Sequence, residues 1–182
     1  MALPPVTGRA GFLKAASIRG LILAAAIAMA VAGFLVWMLA GTSTVPDVTF
    51  VSIKGEKIAT AGLRGKVTVI NFWATDCAIC VKEMPDMARL YERHRERGLE
   101  FVAVAMRHDP PNRVADYAER NKLPFKVALD LDGGHAQAFG SVRFTPTTFI
   151  IDKRGRIVSR IQGEPDFAKL DALIEEKLKE PA

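Results

Sequence analysis

Cysteine is scarce in this chain: Cys77 and Cys80 are the only two among 182 residues, three positions apart. A small secreted scaffold stapled by several bridges needs more cysteines at wider spacings, so that class is excluded. Histidine is almost as rare. His94, His108 and His135 are scattered, form no H-x-x-x-H pattern and bring no second ligand pair to the cysteines. No metal site is therefore expected. Acidic residues are missing from the first 46 positions, where Arg9, Lys14 and Arg19 are the only charges. From Asp47 onward 22 basic residues face 20 acidic ones, a balance that argues against a nucleic-acid partner. Internal repeats and low-complexity stretches are also absent.

One long uncharged stretch is present, from Gly20 to Pro46. Its apolar part, Leu21 to Ala40, has about the 20 residues that a helix needs to cross a bilayer. All nearby positive charge precedes it, which predicts an N-terminus in the cytoplasm and the remainder exported. The expected organisation is a cytoplasmic tail (1–19), a single transmembrane anchor (20–41), a short tether (42–46) and one folded domain (47–182). In a bacterium this puts the domain on the outer, periplasmic face of the inner membrane. A cleaved signal peptide is the competing reading, because Ala30-Val31-Ala32 has the small-x-small form of a cleavage site. Against it, the apolar run continues well past that point.

Periodicity lays out the exported part. Thr49–Ile53 reads as a strand, Lys54-Gly55-Glu56 as a turn, and Ile58–Leu63 as the return. Lys66–Trp73 is an apolar run of strand length, suited to the centre of a sheet. Helical spacing of Val81, Met84, Met87 and Leu90 predicts a helix over 78–97, kinked by Pro85 and stopped by Gly98. A strand follows over Leu99–Met106, then a helix capped by Asn112 and running to Lys122. A strand over Phe125–Leu129, a turn at 130–134 and a brief helix over 136–139 come next. Strands over 147–151 and 156–161 and an amphipathic helix over 167–178 complete the order. The pattern β-β-β-α-β-α-β-α-β-β-α predicts an α/β fold with a mixed central sheet and helices on both faces.

The position of the cysteines says more than their spacing. Cys77 follows a central strand and opens a helix, where unpaired N–H groups and the helix dipole favour a thiolate. Cys80 lies one turn on, within reach to close a disulfide. This predicts Cys77 as the attacking sulfur and Cys80 as the resolving one. Trp73 is expected to pack beside the pair.

The stretch Phe72-Trp73-Ala74-Thr75-Asp76-Cys77-Ala78-Ile79-Cys80-Val81-Lys82-Glu83-Met84-Pro85 resembles the active-site segment of the thioredoxin superfamily, in particular its TlpA/ResA-type membrane-anchored thiol-disulfide oxidoreductases. Leu63-Arg64-Gly65-Lys66, and Phe144-Thr145-Pro146-Thr147-Thr148-Phe149-Ile150-Ile151-Asp152 with Arg154-Gly155-Arg156-Ile157-Val158, extend the likeness over roughly 47–180. It implies a thioredoxin-like fold with an inserted strand and helix within Arg107–Gly134. It implies a cis Pro146 opposite the cysteines, leaving the backbone of Thr145 open to an extended substrate. It also implies reduction of disulfides in exported proteins, such as apocytochrome c in cytochrome c biogenesis or the copper-site cysteines of respiratory oxidases. Electrons would then come from a membrane thiol donor.

The chain departs from the family pattern at three places. Asp76 replaces the usual Trp before the first cysteine, and Ile79 the frequent Pro before the second. Asn71 stands where thioredoxin has a buried Asp, so Cys80 needs another proton acceptor; Glu83 is a candidate, although a solvated surface acid is the ordinary reading of that position. Asp76 either opposes thiolate formation at Cys77, making the pair reducing, or caps the helix. Two other functions fit the residues less well. A peroxiredoxin-like peroxidase has Thr three before its Cys, whereas Thr75 stands two before Cys77. A copper-binding or copper-delivery module would add Met106 or His108 to the two thiolates.

Overall fold

The computed structural model describes residue 20, residues 22–34 and residues 43–181. The chain divides into two compact units, Met1–Gly41 and Thr42–Ala182. In the first, residues 22–34 are helical, and Ile22, Leu23, Ile27, Met29 and Val31 all expose their apolar side chains. Among the described residues no helix is long and apolar enough to cross a membrane. The rest of the expected anchor (Leu21 and 35–41) and the tail over 1–19 lie outside the described residues, as does residue 42 of the tether.

The second unit has the element order read from the sequence. Its strands are β1 (Thr49–Val51), β2 (Lys57–Ala59), β3 (Val67–Trp73), β4 (Leu99–Ala105), β5 (Lys126–Leu129), β6 (Thr147–Ile151) and β7 (Ile157–Gln162). Its helices are α1 (Ala78–His94), α2 (Pro111–Arg120), α3 (Gly134–Ala138) and α4 (Phe167–Lys179). β1 and β2 form a hairpin; the other five strands form one sheet in the order β5-β4-β3-β6-β7. β3, β4 and β5 are parallel, while β6 and β7 run antiparallel to their neighbours. β3 is buried at every position, Thr68 and Asn71 included, as expected of a mostly apolar central strand covered on both faces. Between Arg107 and Gly134, where the resemblance implies an inserted strand and helix, the chain forms α2 and the edge strand β5.

Alternation along the strands sorts the core into two layers. Val67, Val69 and Trp73 face α1, α2 and α4 through Met84, Met87, Val114, Leu170 and Ile174. Ile70, Phe72, Val104 and Phe149 face the other way, against Phe50 and Ile58 of the hairpin and Phe139 after α3. Helices thus cover both faces.

α1 continues through Pro85 to His94 and passes into a 3-10 turn over Arg95–Arg97. Gly98 then ends it in the left-handed region (φ 98°) that glycine enters at little cost. Its far end is pinned to α4, where His94 Nε2 meets Asp171 Oδ1 at 2.5 Å. The start of α2 differs from expectation. Pro110 is the N-cap residue and Pro111 occupies the first turn, so Asn112 lies inside the helix rather than capping it. Two successive prolines supply the extended residue and then the fixed helical φ, and no side-chain cap is used.

Candidate active site

β3 and β6 are antiparallel with Phe72 opposite Thr147, and β3 and β4 are parallel with Trp73 opposite Ala105. One end of the sheet therefore gathers the segments after β3, β4 and β5 and the loop before β6, at the carboxyl ends of the parallel strands where α/β sheets build their sites. Cys77, Cys80, the 106–109 loop and the Thr145–Pro146 peptide all stand there.

Cys77 is the N-cap residue of α1, and its sulfur accepts the N–H of Cys80 at 3.2 Å. The two cysteines are joined as a disulfide with Cα atoms 5.2 Å apart. Cys77 is half-buried, whereas Cys80 is completely enclosed. Only one of the two sulfurs is open to a partner, and it is the one at the helix start. Since Cys77 is the N-cap, Asp76 is not. The capping reading of Asp76 fails, because its exposed carboxylate instead lies 3.5 Å from His108 Nε2. His108 is a loop residue after β4.

The Thr145–Pro146 bond is cis, as the resemblance implied. Pro146 is buried and its carbonyl accepts the N–H of Gly163 at 2.8 Å. Trp73 is fully buried under the junction with its ring 5.2 Å from that of Tyr117, and its indole N–H finds no acceptor among the described residues.

Glu83 is not the solvated surface acid that its type suggests. It has no exposed surface, and lies one turn after Cys80 on the same buried side of α1 as Met84 and Met87. Asn71 Nδ2 donates to Glu83 Oε1 at 3.1 Å and to Thr148 Oγ1 at 3.0 Å, while Glu83 Oε2 and Asn71 Oδ1 find no partner among the described residues. Burial pushes the Glu83 carboxyl up to about 7, against the smaller opposing pull of the Asn71 hydrogen bond. A carboxyl poised there takes up and gives back a proton at neutral pH. The signal was present in the sequence, since Cys80, Glu83, Met84 and Met87 share one helical stripe.

Asp109 carried no such signal. It is buried, and its carboxylate accepts from both the backbone N–H and the hydroxyl of Thr75, each at 2.6 Å. This clamp fixes the two residues before Cys77 to the loop after β4. Replacing Asp109 by Ala leaves two donors without their partner, and the oxidised protein is expected to lose about 2–3 kcal/mol in urea unfolding. Asp109→Asn, which keeps one acceptor, should lose less.

A cavity of about 640 Å³ lies against Ile53, Tyr91, Leu123 and Phe125, but no cysteine lines it. Among the described residues no group of three or more His, Cys, Asp or Glu side chains is arranged to hold a metal ion.

Known proteins match this architecture. The Redoxin family model matches residues 40–174. The chain is 33% identical over 126 residues to the thiol-disulfide oxidoreductase ResA of Bacillus thuringiensis, covering 69% of this chain and 72% of that protein. The ResA of Geobacillus thermodenitrificans is 37% identical over 121 residues, 66% of this chain and 68% of the relative. The chain belongs to the ResA-like thiol-disulfide oxidoreductases of the Redoxin family. A solved thiol:disulfide interchange protein of the thioredoxin family from Chlorobium tepidum superposes on this redoxin with a TM-score of 0.70 at 27% identity, over 76% of this chain and 97% of that one. The redoxin is therefore an enzyme of thiol-disulfide exchange, with thiols or disulfides as substrates. Neither the peroxidase nor the copper module is favoured by these relatives.

Proposed function

We propose that this redoxin is a membrane-anchored reductase of disulfides in exported proteins, working through Cys77 and Cys80 with no cofactor besides their own disulfide. The observation that carries the assignment of roles is the contrast in burial between a half-open Cys77 at the helix start and an enclosed Cys80. In the reduced enzyme the Cys77 thiolate attacks a substrate disulfide. One substrate sulfur leaves as thiolate and the other stays bonded to Cys77. Cys80 gives its proton to Glu83 and attacks the Cys77 sulfur, which releases the second substrate thiolate and forms the Cys77–Cys80 bond. Two electrons have then passed to the substrate, and a membrane dithiol donor returns two to the enzyme. Thr145, at the edge of the site, offers its backbone to an extended substrate, with Pro146 and Trp73 shaping the pocket beneath.

An anchor over 20–41 is supported by the uncharged apolar run, by the basic residues before it and by the exposed apolar side chains of 22–34. The reducing direction is supported by Asp76, whose negative charge beside Cys77 opposes the thiolate. Asp76→Asn is accordingly expected to speed alkylation of reduced Cys77 at pH 7 by about two- to fivefold at low salt, less at high salt. An unchanged or slower rate would remove Asp76 from this account.

The deciding experiment is a trap. A Cys80→Ser variant should accumulate Cys77 in a mixed disulfide with its natural partner in native membranes, releasable by reductant and nameable by mass spectrometry. Recovery of the variant with a free Cys77 and no bonded protein would count against the proposal.

A further inference from the structure

A cleft of about 310 Å³ opens between the loop after β4, the short helix α3 and the loop before Pro146. Its walls include Arg107 and His108 from the loop after β4, Gly133 and Gln137 around α3, and Val142 and Arg143 from the loop before Pro146. No cysteine lines it, but two of its residues lead to the site: His108 faces Asp76, the residue before Cys77, at 3.5 Å, and Arg143 stands two residues before Thr145. Arg107 and Arg143 are exposed, and neither makes an ion pair or side-chain hydrogen bond with any described residue. The one carboxylate in the cleft, Asp132, is engaged by the backbone N–H of Gly134 at 2.8 Å. The His108 and Asp76 side chains face each other. The cleft therefore keeps an excess of positive charge that folding does not use.

Arg107 is also given room. Gly133 has φ +80°, and a Cβ there would stand 3.1 Å from Arg107 Cδ, so the glycine lets the arginine stem lie against bare backbone. Two unpartnered guanidiniums in one cleft repel each other and add nothing to stability, but their forked donors match a carboxylate. Two apolar side chains next to the site residues in sequence are exposed, Ile79 between the cysteines and Phe144 before Thr145.

We propose that this cleft is a substrate subsite for an acidic side chain, an Asp or Glu close in sequence to the reacting cysteine of an extended polypeptide. The proposal rests on the thiol-disulfide exchange described above and adds a sequence preference to it. The occupant is a carboxylate, because the cleft presents two arginines that no described residue partners against a single carboxylate, Asp132.

The test is a single-turnover reaction of the reduced full-length protein with peptide disulfides. Each peptide carries one Asp, or in a matched series one Lys, walked along the residues flanking the cysteine. The protein dithiol supplies both electrons, so no further reductant is needed. At low salt the best Asp peptide should react about tenfold faster than its Lys counterpart, and the ratio should shrink as salt is added. Arg107→Glu with Arg143→Glu should bring the ratio to one or invert it. Should that double variant fold poorly, Arg107→Gln with Arg143→Gln reads the same loss of preference. Lys57→Glu, an exposed change on β2, should leave the ratio as it was, separating a local subsite from net charge. Equal rates for the two series in the unmodified protein, or a ratio that survives both arginine variants, would overturn the subsite. Failure of every peptide to be reduced while both thiols titrate would instead strike at the exchange reaction itself.

Discussion

With Cys77 replaced by Ser, reduction of a protein disulfide should fall by about a thousandfold or more, to the level of the uncatalysed exchange. A serine hydroxyl is not ionised at neutral pH even at a helix N-terminus, and oxygen does not join a disulfide relay. The loss should be accompanied by intact folding, because the N-cap position tolerates Ser well. Cys80→Ser makes the informative contrast. Its first attack survives, so one equivalent of substrate thiol appears quickly and the protein then stops as the mixed disulfide. A burst followed by arrest in Cys80→Ser, with no burst in Cys77→Ser, assigns the two roles. The reverse pattern would exchange them, and would be hard to reconcile with the enclosure of Cys80.

Glu83→Gln should have the second largest effect, and in two opposite directions. The folded-state carboxyl sits at about 7, against 4.5 as its ordinary value, so between those pH values the folded chain holds a proton that the unfolded chain has lost. Stability contributed by this group is complete below about 4.5, falls as pH rises through the window, and levels off above 7. The difference corresponds to roughly 3 kcal/mol. Glutamine, of similar shape and without charge, should therefore match the parent protein near pH 4 and exceed it by about that amount at pH 8.5. Urea melts at the two pH values read this directly, and parallel pH profiles for parent and variant would refute it. Catalysis should move the other way. Without a carboxylate to take the Cys80 proton, resolution of the mixed disulfide should slow by about a hundredfold near pH 7, while the initial attack by Cys77 is little changed. A residue that costs stability and speeds one chemical step has the profile of a site group rather than a packing group.

Much of this architecture was legible from local pattern. The Lys66–Trp73 run and the Thr147–Ile151 run became β3 and β6 almost residue for residue, because a strand buried on both faces leaves a mostly apolar, β-branched and aromatic signature. The strand-to-helix junction at Cys77 followed from the same logic. Where reading failed, the cause was a partner far away in sequence or a competing backbone preference. The Asp109 clamp joins residues 34 apart, and nothing near Asp109 announces it. Asn112 was an attractive cap until two prolines, Pro110 and Pro111, claimed the first turn. Glu83 was visible as a member of an apolar stripe, but its charge argued for solvent; only the packed surroundings and Asn71 show that the stripe prevailed. Asp76 looked like a cap because acids favour that place, yet the sulfur one residue later holds it.

The chain enters its folded unit at a point well away from the reacting sulfurs. Ile157 N–H donates to Ser43 O at 2.7 Å, and Val45 N–H to Gly155 O at 2.9 Å, so these early residues are bound beside the turn between β6 and β7. That turn lies at the end of the sheet where Thr68 pairs with Ile151, away from Trp73 and the cysteines. The seven residues of β3 separate the two ends by roughly 20 Å. The chain thus joins its folded unit at the end of the sheet opposite the reacting sulfurs, and residues 43–45 leave the cysteine junction uncovered.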